Sequence, residues 1–217
     1  MALMYNSYLF KKLDSRKVKL DLSEYDDTSR DILMVKFKAK LAEKTTIYVL
    51  VNHWPSRREG KATSEPKRVK AAKTLDGIRD DILKEEPNAH IVIMGDFNDE
   101  PFDKSIKETL ATTVELDQVS QEKFYNPMGR LKQAGLGSYN FRGNWNMLDQ
   151  IMVSGSLMDG AGLDYEMHSA NIYSPEWLRQ HGGKYEGYPL RTFGGRKYLN
   201  GYSDHFPVSI RLKYASN

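Results

Sequence analysis

The sequence has no cysteine among its 217 residues. This absence excludes disulfides, thiolate metal sites and a cysteine nucleophile. No apolar run approaches the ~20 residues that a transmembrane helix needs, so no membrane span is predicted. The first residues also lack the basic start and apolar stretch of a secretory signal. What remains is a soluble protein whose chemistry depends on oxygen and imidazole groups, with its compartment left open.

An excess of charge of one sign is also lacking, since 32 basic residues face 29 acidic ones for a net charge of +3. Only the segment 57–73 is strongly basic, with seven basic and two acidic residues and a net +5. Such a segment can form an electrostatic rim for a phosphorylated substrate. A solvated helix face is the commoner explanation of a charge run.

The arrangement of apolar residues predicts mixed α/β layers. Residues 32–37 and 46–51 are rich in β-branched and aromatic types, which predicts paired antiparallel strands. A helix is predicted from Ser64, where apolar residues recur at spacings of three and four, and Pro87 ends it. Residues 91–94 form the next strand. The order strand, helix, strand is typical of α/β folds.

Further strands are predicted at residues 148–153 and 208–212, and a long surface loop at residues 173–202, which is dense in glycine, tyrosine and arginine. Hydrophobic residues make up 40% of the chain, which is ordinary for a globular protein. No linker, internal repeat or low-complexity tract interrupts it. The sequence therefore predicts one domain over residues 1–217.

The most informative segment is the strand at residues 91–94 and the four residues that follow it, Gly95, Asp96, Phe97 and Asn98. In an extended chain, residues i and i+2 point the same way, so the Asp96 carboxylate and the Asn98 amide can converge on one point. Hard oxygen donors of this kind suit Mg²⁺ or Mn²⁺. The alternative is a turn, because Asp and Asn after Gly often bond to their own backbone.

Reactive side chains also stand at other strand ends, namely His53, Asp149, Asp204 and His205. Asp149 lies within an apolar run, where an unpaired carboxylate is costly to bury. His205 is its natural partner, because an imidazole needs a group that fixes its tautomer. His53 alone would more often be a packed histidine. A serine hydrolase is disfavoured because the chain has no G-x-S-x-G elbow.

These residues lie in four ordered motifs, which are 52-NHWPS-56, 95-GDFN-98, 148-LDQI-151 and 203-SDHFPV-208. In order and spacing they resemble the endonuclease/exonuclease/phosphatase superfamily, in particular its bacterial branch. The resemblance implies a deoxyribonuclease I-like α/β (α+β) sandwich, in which helices flank two packed, mostly antiparallel β-sheets. It also implies hydrolysis of phosphodiesters or phosphomonoesters with Mg²⁺ or Mn²⁺, in a protein of the bacterial cytoplasm or an exported one.

The resemblance also implies catalytic roles for five residues. His53 would contact phosphate or act as general acid, and Asp96 and Asn98 would orient the attacking water and bind phosphoryl oxygens. Asp149 would orient His205. His205 would be a general base or a cation beside the phosphate, and the resemblance leaves open whether it or Asp96 takes the proton.

Metal binding by Asp204 is a further implication, and Asp96 is a second carboxylate that can hold the cation. Asn52, Arg57 and Arg58, next to His53 in sequence, are the predicted substrate-binding residues. The planar guanidinium of an arginine fits phosphate oxygens well. The alternative for Arg57 and Arg58, which is equally good, is that they are solvated charges at the rim and do not bind phosphate.

One part of the family pattern is missing. Family members carry an Asn on an early strand and then a Gln-Glu pair whose glutamate is the main metal ligand, whereas Gln121-Glu122 falls after the GDFN motif. The chain is therefore expected to be the C-terminal portion of such a domain, without its first strands. Missing strands leave apolar surface exposed, which predicts self-association.

Two functions follow from the sequence. The first is a metal-dependent, nuclease-like phosphoesterase that cleaves a phosphodiester by in-line attack of an activated water. Its substrate would be a phosphate ester, and nucleic acid is one possibility. The second is a catalytically silent fragment that serves as a binding or structural module, because the upstream glutamate is absent.

Overall fold

A seven-stranded sheet forms the centre of the structure, a computed structural model that describes residues 1–40 and 45–215. Its strand order is β1-β2-β3-β4-β9-β6-β5. The strands are β1 (Phe10–Val18), β2 (Ile32–Ala39), β3 (Thr46–His53), β4 (His90–Asp96), β5 (Thr112–Thr113), β6 (Phe124–Tyr125) and β9 (Asp149–Val153). The helices are α1 (Lys61–Glu85) and α2 (Met128–Gln133), with shorter helical turns elsewhere, among them Ser105–Thr109.

The strands predicted from the sequence form the middle of this sheet. Strands β2 and β3 pair antiparallel, with Leu33 opposite Val51, and β4 runs parallel to β3. Helix α1 is the crossover between β3 and β4, as parallel neighbours require. It begins at Lys61, three residues before the predicted Ser64, whose hydroxyl donates a hydrogen bond to the Gly60 carbonyl at 2.6 Å.

The two faces of the sheet carry different cores, because successive residues of a strand point to opposite sides. On one face, Leu50, Ile91 and Ile93 pack against α1 through residues spaced by three and four, such as Ala71, Leu75, Ile78 and Ile82. On the other face, Val92 and Val153 belong to a second core that includes Leu163, Tyr165 and Leu212. The central strands are thus covered on both sides.

The second face is covered by short ladders rather than by one continuous sheet. Strand β10 (Gly162–Tyr165) pairs with β15 (Leu212–Ala215), and β11 (Asn171–Ile172) pairs with β14 (Val208–Ser209). The predicted strand at residues 208–212 is therefore divided between β14 and β15. The mixed α/β fold class is confirmed, while the second sheet appears within the described residues as separate two-stranded pieces.

Two hairpins project beyond the sheet. Strands β7 (Tyr139–Phe141) and β8 (Asn144–Asn146) form one of them. Strands β12 (Phe193–Gly194) and β13 (Lys197–Tyr198) form the other, within the region predicted as a long surface loop. All four of its strand residues are exposed, as expected for that loop.

Large apolar side chains are exposed at several places, notably Met4 (96%) and Tyr8 (86%) ahead of β1. Self-association through such surface stays a prediction. In the described part of the chain, no helix has the length and apolar character needed to cross a membrane.

Candidate active site

Three of the predicted site residues lie side by side at one edge of the central sheet. In the strand register, His53 at the end of β3 is opposite Asp96 at the end of β4, and Asp96 is opposite Asp149 at the start of β9. Opposite residues on neighbouring strands present their side chains on the same face. The His53 Nε2 atom lies 3.5 Å from Asp96 Oδ2. The register therefore assembles a row of reactive groups from distant parts of the sequence.

His205 joins this row from an irregular segment. A β-bridge links it to Tyr139, and the next N–H, that of Phe206, donates to the Ser138 carbonyl at 2.8 Å. Its Nδ1 lies 2.6 Å from Asp149 Oδ2. Ligand atoms of Asp96, Asp149 and His205 all lie within 4.8 Å of one another. We refer to these three residues as the acidic cluster.

Ser138 supports the pairing of Asp149 with His205. Its hydroxyl donates to the same Asp149 Oδ2 atom at 2.6 Å, and it accepts the Asp149 N–H at 3.2 Å. With Oδ2 held by two donors, the Asp149 carboxylate has a fixed orientation, and so has the imidazole that pairs with it. The Nε2 atom of His205 is then the ring nitrogen left to face a substrate. No sequence signal singled out Ser138.

The cluster shifts the protonation of its members. Burial, followed by the negative charge of Asp149, raises the pKa of Asp96 to about 6. Burial acts to lower the pKa of His205, but the hydrogen bond and charge of Asp149, together with the charge of Asp96, raise it above its usual value. Burial is also the largest cause that lowers the pKa of His53. Near neutral pH, His205 therefore holds its proton more firmly than His53 does.

Asn98 does not continue the extended chain of β4. It has a left-handed backbone, with φ of 50°, and its N–H donates to Asp96 Oδ1 at 2.9 Å. Its side-chain Nδ2 donates to the Trp54 carbonyl at 3.1 Å, and the residue is only 9% exposed. Both interpretations of this segment, a turn and a site at the strand end, therefore hold together. The hydrogen bond from the Asn98 N–H forms the turn and also fixes one oxygen of the Asp96 carboxylate. The chain is not extended at Asn98, so Asp96 and Asn98 do not point the same way by the simple i, i+2 rule of a strand.

A buried ion-pair network lies beneath this turn. Asp99 is 1% exposed, and its Oδ2 lies 2.7 Å from Nε of Arg68, a residue of α1 that is fully buried. Arg57 donates to the Asn98 carbonyl and to Asp99 Oδ1, the latter at 3.1 Å. Gln150 donates to the Asp99 carbonyl at 2.7 Å. The network fixes the backbone from Asn98 to Asp99 from two sides, and sequence patterns pointed to neither Asp99 nor Arg68 as part of the site.

Two predicted substrate-binding residues have internal partners instead. Asn52 is 2% exposed, donates to the Leu50 carbonyl and accepts the indole N–H of Trp54. This burial contradicts a direct substrate contact by Asn52. Arg57 pairs with Asp99 and Asp103 in the network beneath the turn, and its grip on phosphate stays a prediction.

The other two predicted binding residues lie at the surface. Arg58 is exposed, which both a phosphate contact and a place on a solvated rim require. Asp204 is exposed and is not a member of the acidic cluster, although its charge contributes to the raised pKa of His205. The structure therefore places the predicted metal ligand Asp204 beside the cluster rather than in it.

Comparison with known proteins agrees with this geometry. The sequence matches the Endonuclease/Exonuclease/phosphatase family over residues 1–214. The chain belongs to this family. A comparison with curated proteins finds no significant match.

Solved structures of similar fold include three with different described roles. The human Nocturnin catalytic domain with bound sulfate superposes with a TM-score of 0.59 at 16% identity, over 96% of this chain and 61% of that domain. Mannosyl-6-phosphatase Bt3783 of Bacteroides thetaiotaomicron VPI-5482 has a TM-score of 0.57 at 16% identity, over 96% and 69%. TDP2 of D. rerio with a single-strand DNA product has a TM-score of 0.54 at 14% identity, over 95% and 69%. The chain thus has the family fold and spans about three fifths of the Nocturnin domain.

Proposed function

We propose that the protein is a divalent-metal-dependent phosphoesterase that hydrolyses a phosphodiester by in-line attack of an activated water. The observation that carries the proposal is the acidic cluster, in which Asp149 fixes His205 beside the ionisable Asp96. Membership of the Endonuclease/Exonuclease/phosphatase family supports it. So do the phosphatase and the DNA-bound protein among its structural relatives.

The donor set fits a hard divalent cation. Two carboxylates face each other in a half-buried site, and the pKa of Asp96 is raised first by burial and then by the negative charge of Asp149. Mg²⁺ is usually bound through one or two carboxylates while it keeps several waters. Asp96 and Asp149 would hold Mg²⁺ or Mn²⁺ here. When bound, the metal polarises a phosphoryl oxygen and neutralises charge that builds in the transition state.

The protein groups divide the proton chemistry between them. Asp96 accepts a proton from the attacking water. Its pKa of about 6 is that of the metal-free site, and a bound divalent cation would lower it. His205 remains protonated through its bond to Asp149 and donates from Nε2 to a phosphoryl oxygen. His53, whose side chain is 37% exposed, contacts the departing oxygen.

Hydrolysis of bis-p-nitrophenyl phosphate tests the proposal. We expect turnover with Mg²⁺ or Mn²⁺, none in EDTA, and a loss of roughly 100- to 1,000-fold in kcat for His205→Ala, because a group that stabilises developing charge is removed. His181→Ala is the matched control, since His181 is an exposed histidine whose ring pairs only with Glu176 in the described structure. Equal loss in both variants, or turnover that EDTA leaves unchanged, would overturn the proposal.

The alternative is a catalytically silent module that keeps the family scaffold. One observation favours it. The chain's Gln-Glu pair, Gln121-Glu122, lies at the end of the sheet opposite to the acidic cluster. There, the carbonyl of the preceding Ser120 accepts a hydrogen bond from the N–H of Gly155, just beyond the end of β9. The Glu122 carboxylate accepts from the Ser120 hydroxyl instead of joining the acidic cluster. Binding of inorganic phosphate by calorimetry without any turnover would support this alternative.

A further inference from the structure

A row of aromatic rings leads away from His205 along the β7–β8 hairpin. The Tyr139 ring lies 4.7 Å from the imidazole of His205, measured between centroids. Phe141 follows at 6.4 Å from Tyr139, with the two ring planes only 15° apart. Residues i and i+2 of a strand share a face, so the hairpin presents both rings side by side. We call Tyr139 and Phe141 the aromatic row.

The hairpin that carries the row has a tight turn and packs against the segment of His205. Arg142 and Gly143 at its tip both have left-handed backbones, with φ of 52° and 90°, as the tight two-residue turns of β-hairpins require. On β8, Trp145 stacks on Phe206 at 5.9 Å with planes 19° apart. Since Phe206 directly follows His205, the hairpin is fixed relative to the acidic cluster.

Positive charge accompanies the rings. The guanidinium of Arg142 lies 5.1 Å from the Phe141 centroid, and that of Arg191 lies 5.8 Å from the Tyr139 centroid. Within the described residues, neither arginine forms an ion pair with a carboxylate. Each guanidinium lies over one face of its ring, so a planar group of a ligand would stack on the other face while the arginine contacts a phosphate.

Of the two rings, Tyr139 is partly exposed to solvent and Phe141 is exposed. Phe141 is 52% exposed. On the segment that leads to His205, Tyr202 is 62% exposed and packs edge-on against Trp177, which is 54% exposed. The two groups of rings lie on segments that meet at His205, and exposed apolar side chains next to polar groups mark a ligand or partner surface.

We propose that the aromatic row is a base-stacking platform, and that the substrate is single-stranded nucleic acid whose scissile phosphodiester lies at His205. This inference rests on the proposed phosphoesterase function and adds the substrate class. Every base has a flat face that stacks on an aromatic ring, and basic side chains follow the backbone. Duplex bases already stack on one another, so their faces cannot reach the rings. A phosphorylated sugar has no flat aromatic face to stack on the rings.

Binding in EDTA tests the platform independently of hydrolysis. The probe is a fluorescein-labelled oligothymidylate, compared by anisotropy with an abasic oligomer of equal length and with the matching duplex. Wild type should bind the oligothymidylate most tightly. Phe141→Ala should weaken that binding by roughly 5- to 100-fold, the loss of one base–aromatic stack, and leave abasic binding unchanged. Phe141→Tyr should restore it.

Tyr8→Ala is the matched control, because Tyr8 is 86% exposed on the turn before β1. Equal affinity for normal and abasic oligomers, a preference for duplex, or an equal loss in Tyr8→Ala would overturn the inference, as would displacement of the probe by mannose 6-phosphate at lower concentration than by unlabelled oligomer. If bis-p-nitrophenyl phosphate is not hydrolysed but base-dependent binding persists, only the proposed hydrolysis fails.

Discussion

Replacement of Asp96 by Asn should stabilise the metal-free protein at neutral pH while it removes activity. Burial and the charge of Asp149 raise the pKa of Asp96 to about 6, whereas His205 and the Asn98 N–H act in the opposite direction. The ionised carboxylate is therefore a net destabilising group in the folded chain. An amide has a similar shape and can still accept the Asn98 N–H through its oxygen, so the substitution removes mainly the charge.

The size of the effect follows from the pKa. A rise from 3.8 to about 6 corresponds to about 3 kcal/mol, since one pH unit is worth about 1.4 kcal/mol. Because the folded state binds this proton more tightly than the unfolded state does, the free energy of unfolding falls as pH rises from about 4 to about 6 and stays low above it. The Asp96 side chain is only 17% exposed, so solvent screens little of this. Asp96→Asn should therefore be more stable than wild type by about 1–3 kcal/mol at pH 7.5.

Urea unfolding in EDTA at pH 4 and pH 7.5 measures this directly. The stability gain of Asp96→Asn should be present at pH 7.5 and nearly absent at pH 4, where wild-type Asp96 is protonated. Asp117→Asn, which removes an exposed carboxylate, should show no such gain. An Asp96→Asn variant that is no more stable than wild type at pH 7.5, or equally stabilised at both pH values, would refute the reasoning.

Three other substitutions test the geometry around the cluster. Asp149→Asn should lower the pKa of His205 below its usual value, because burial then outweighs the weakened bond, and an NMR titration of the imidazole would show no shift if the pairing is unimportant. Gly95→Ala should cost at least about 2 kcal/mol in urea unfolding, because φ is +144° and a Cβ would lie 1.9 Å from a backbone oxygen of β3; unchanged stability would contradict that approach. Asp99→Asn should cost about 3–5 kcal/mol by leaving Arg68 buried without its partner charge, and a double variant with Arg68→Met should recover part of the loss.

The sequence was sufficient for the central strands and for the residues at their ends. Strands β2, β3, β4 and β9 are apolar runs with local boundaries, and the structure places their ends within two residues of the predicted bounds. What the sequence could not supply was the register that puts His53, Asp96 and Asp149 opposite one another, because pairing is a property of strands far apart in the chain. His205 was linked to Asp149 by the cost of burying an unpaired carboxylate and by the family resemblance, and not by periodicity.

Charged residues of α1 were the least predictable. The basic segment 57–73 is typical of a solvated helix face, yet Arg68 is fully buried and Lys67 is 8% exposed, where it binds Asp27 and Glu59. A charge is buried only where the fold supplies an opposite charge, and those partners lie up to about forty positions away in sequence. The composition gives the number of charged residues but does not indicate which of them are paired.

The polar residues after β4 show how much depends on such partners. Asp96 and Asp99 are the same residue type, three positions apart on one turn. Burial raises the pKa of both carboxyls, but Asp99 is paired with Arg68 and Arg57, so it fixes the backbone. Asp96 faces Asp149 and keeps an elevated pKa, so it is left with a charge that a metal or a proton can satisfy. If the platform beside His205 binds nucleic acid, it brings phosphate to the one carboxylate of the two that the fold has left available for chemistry.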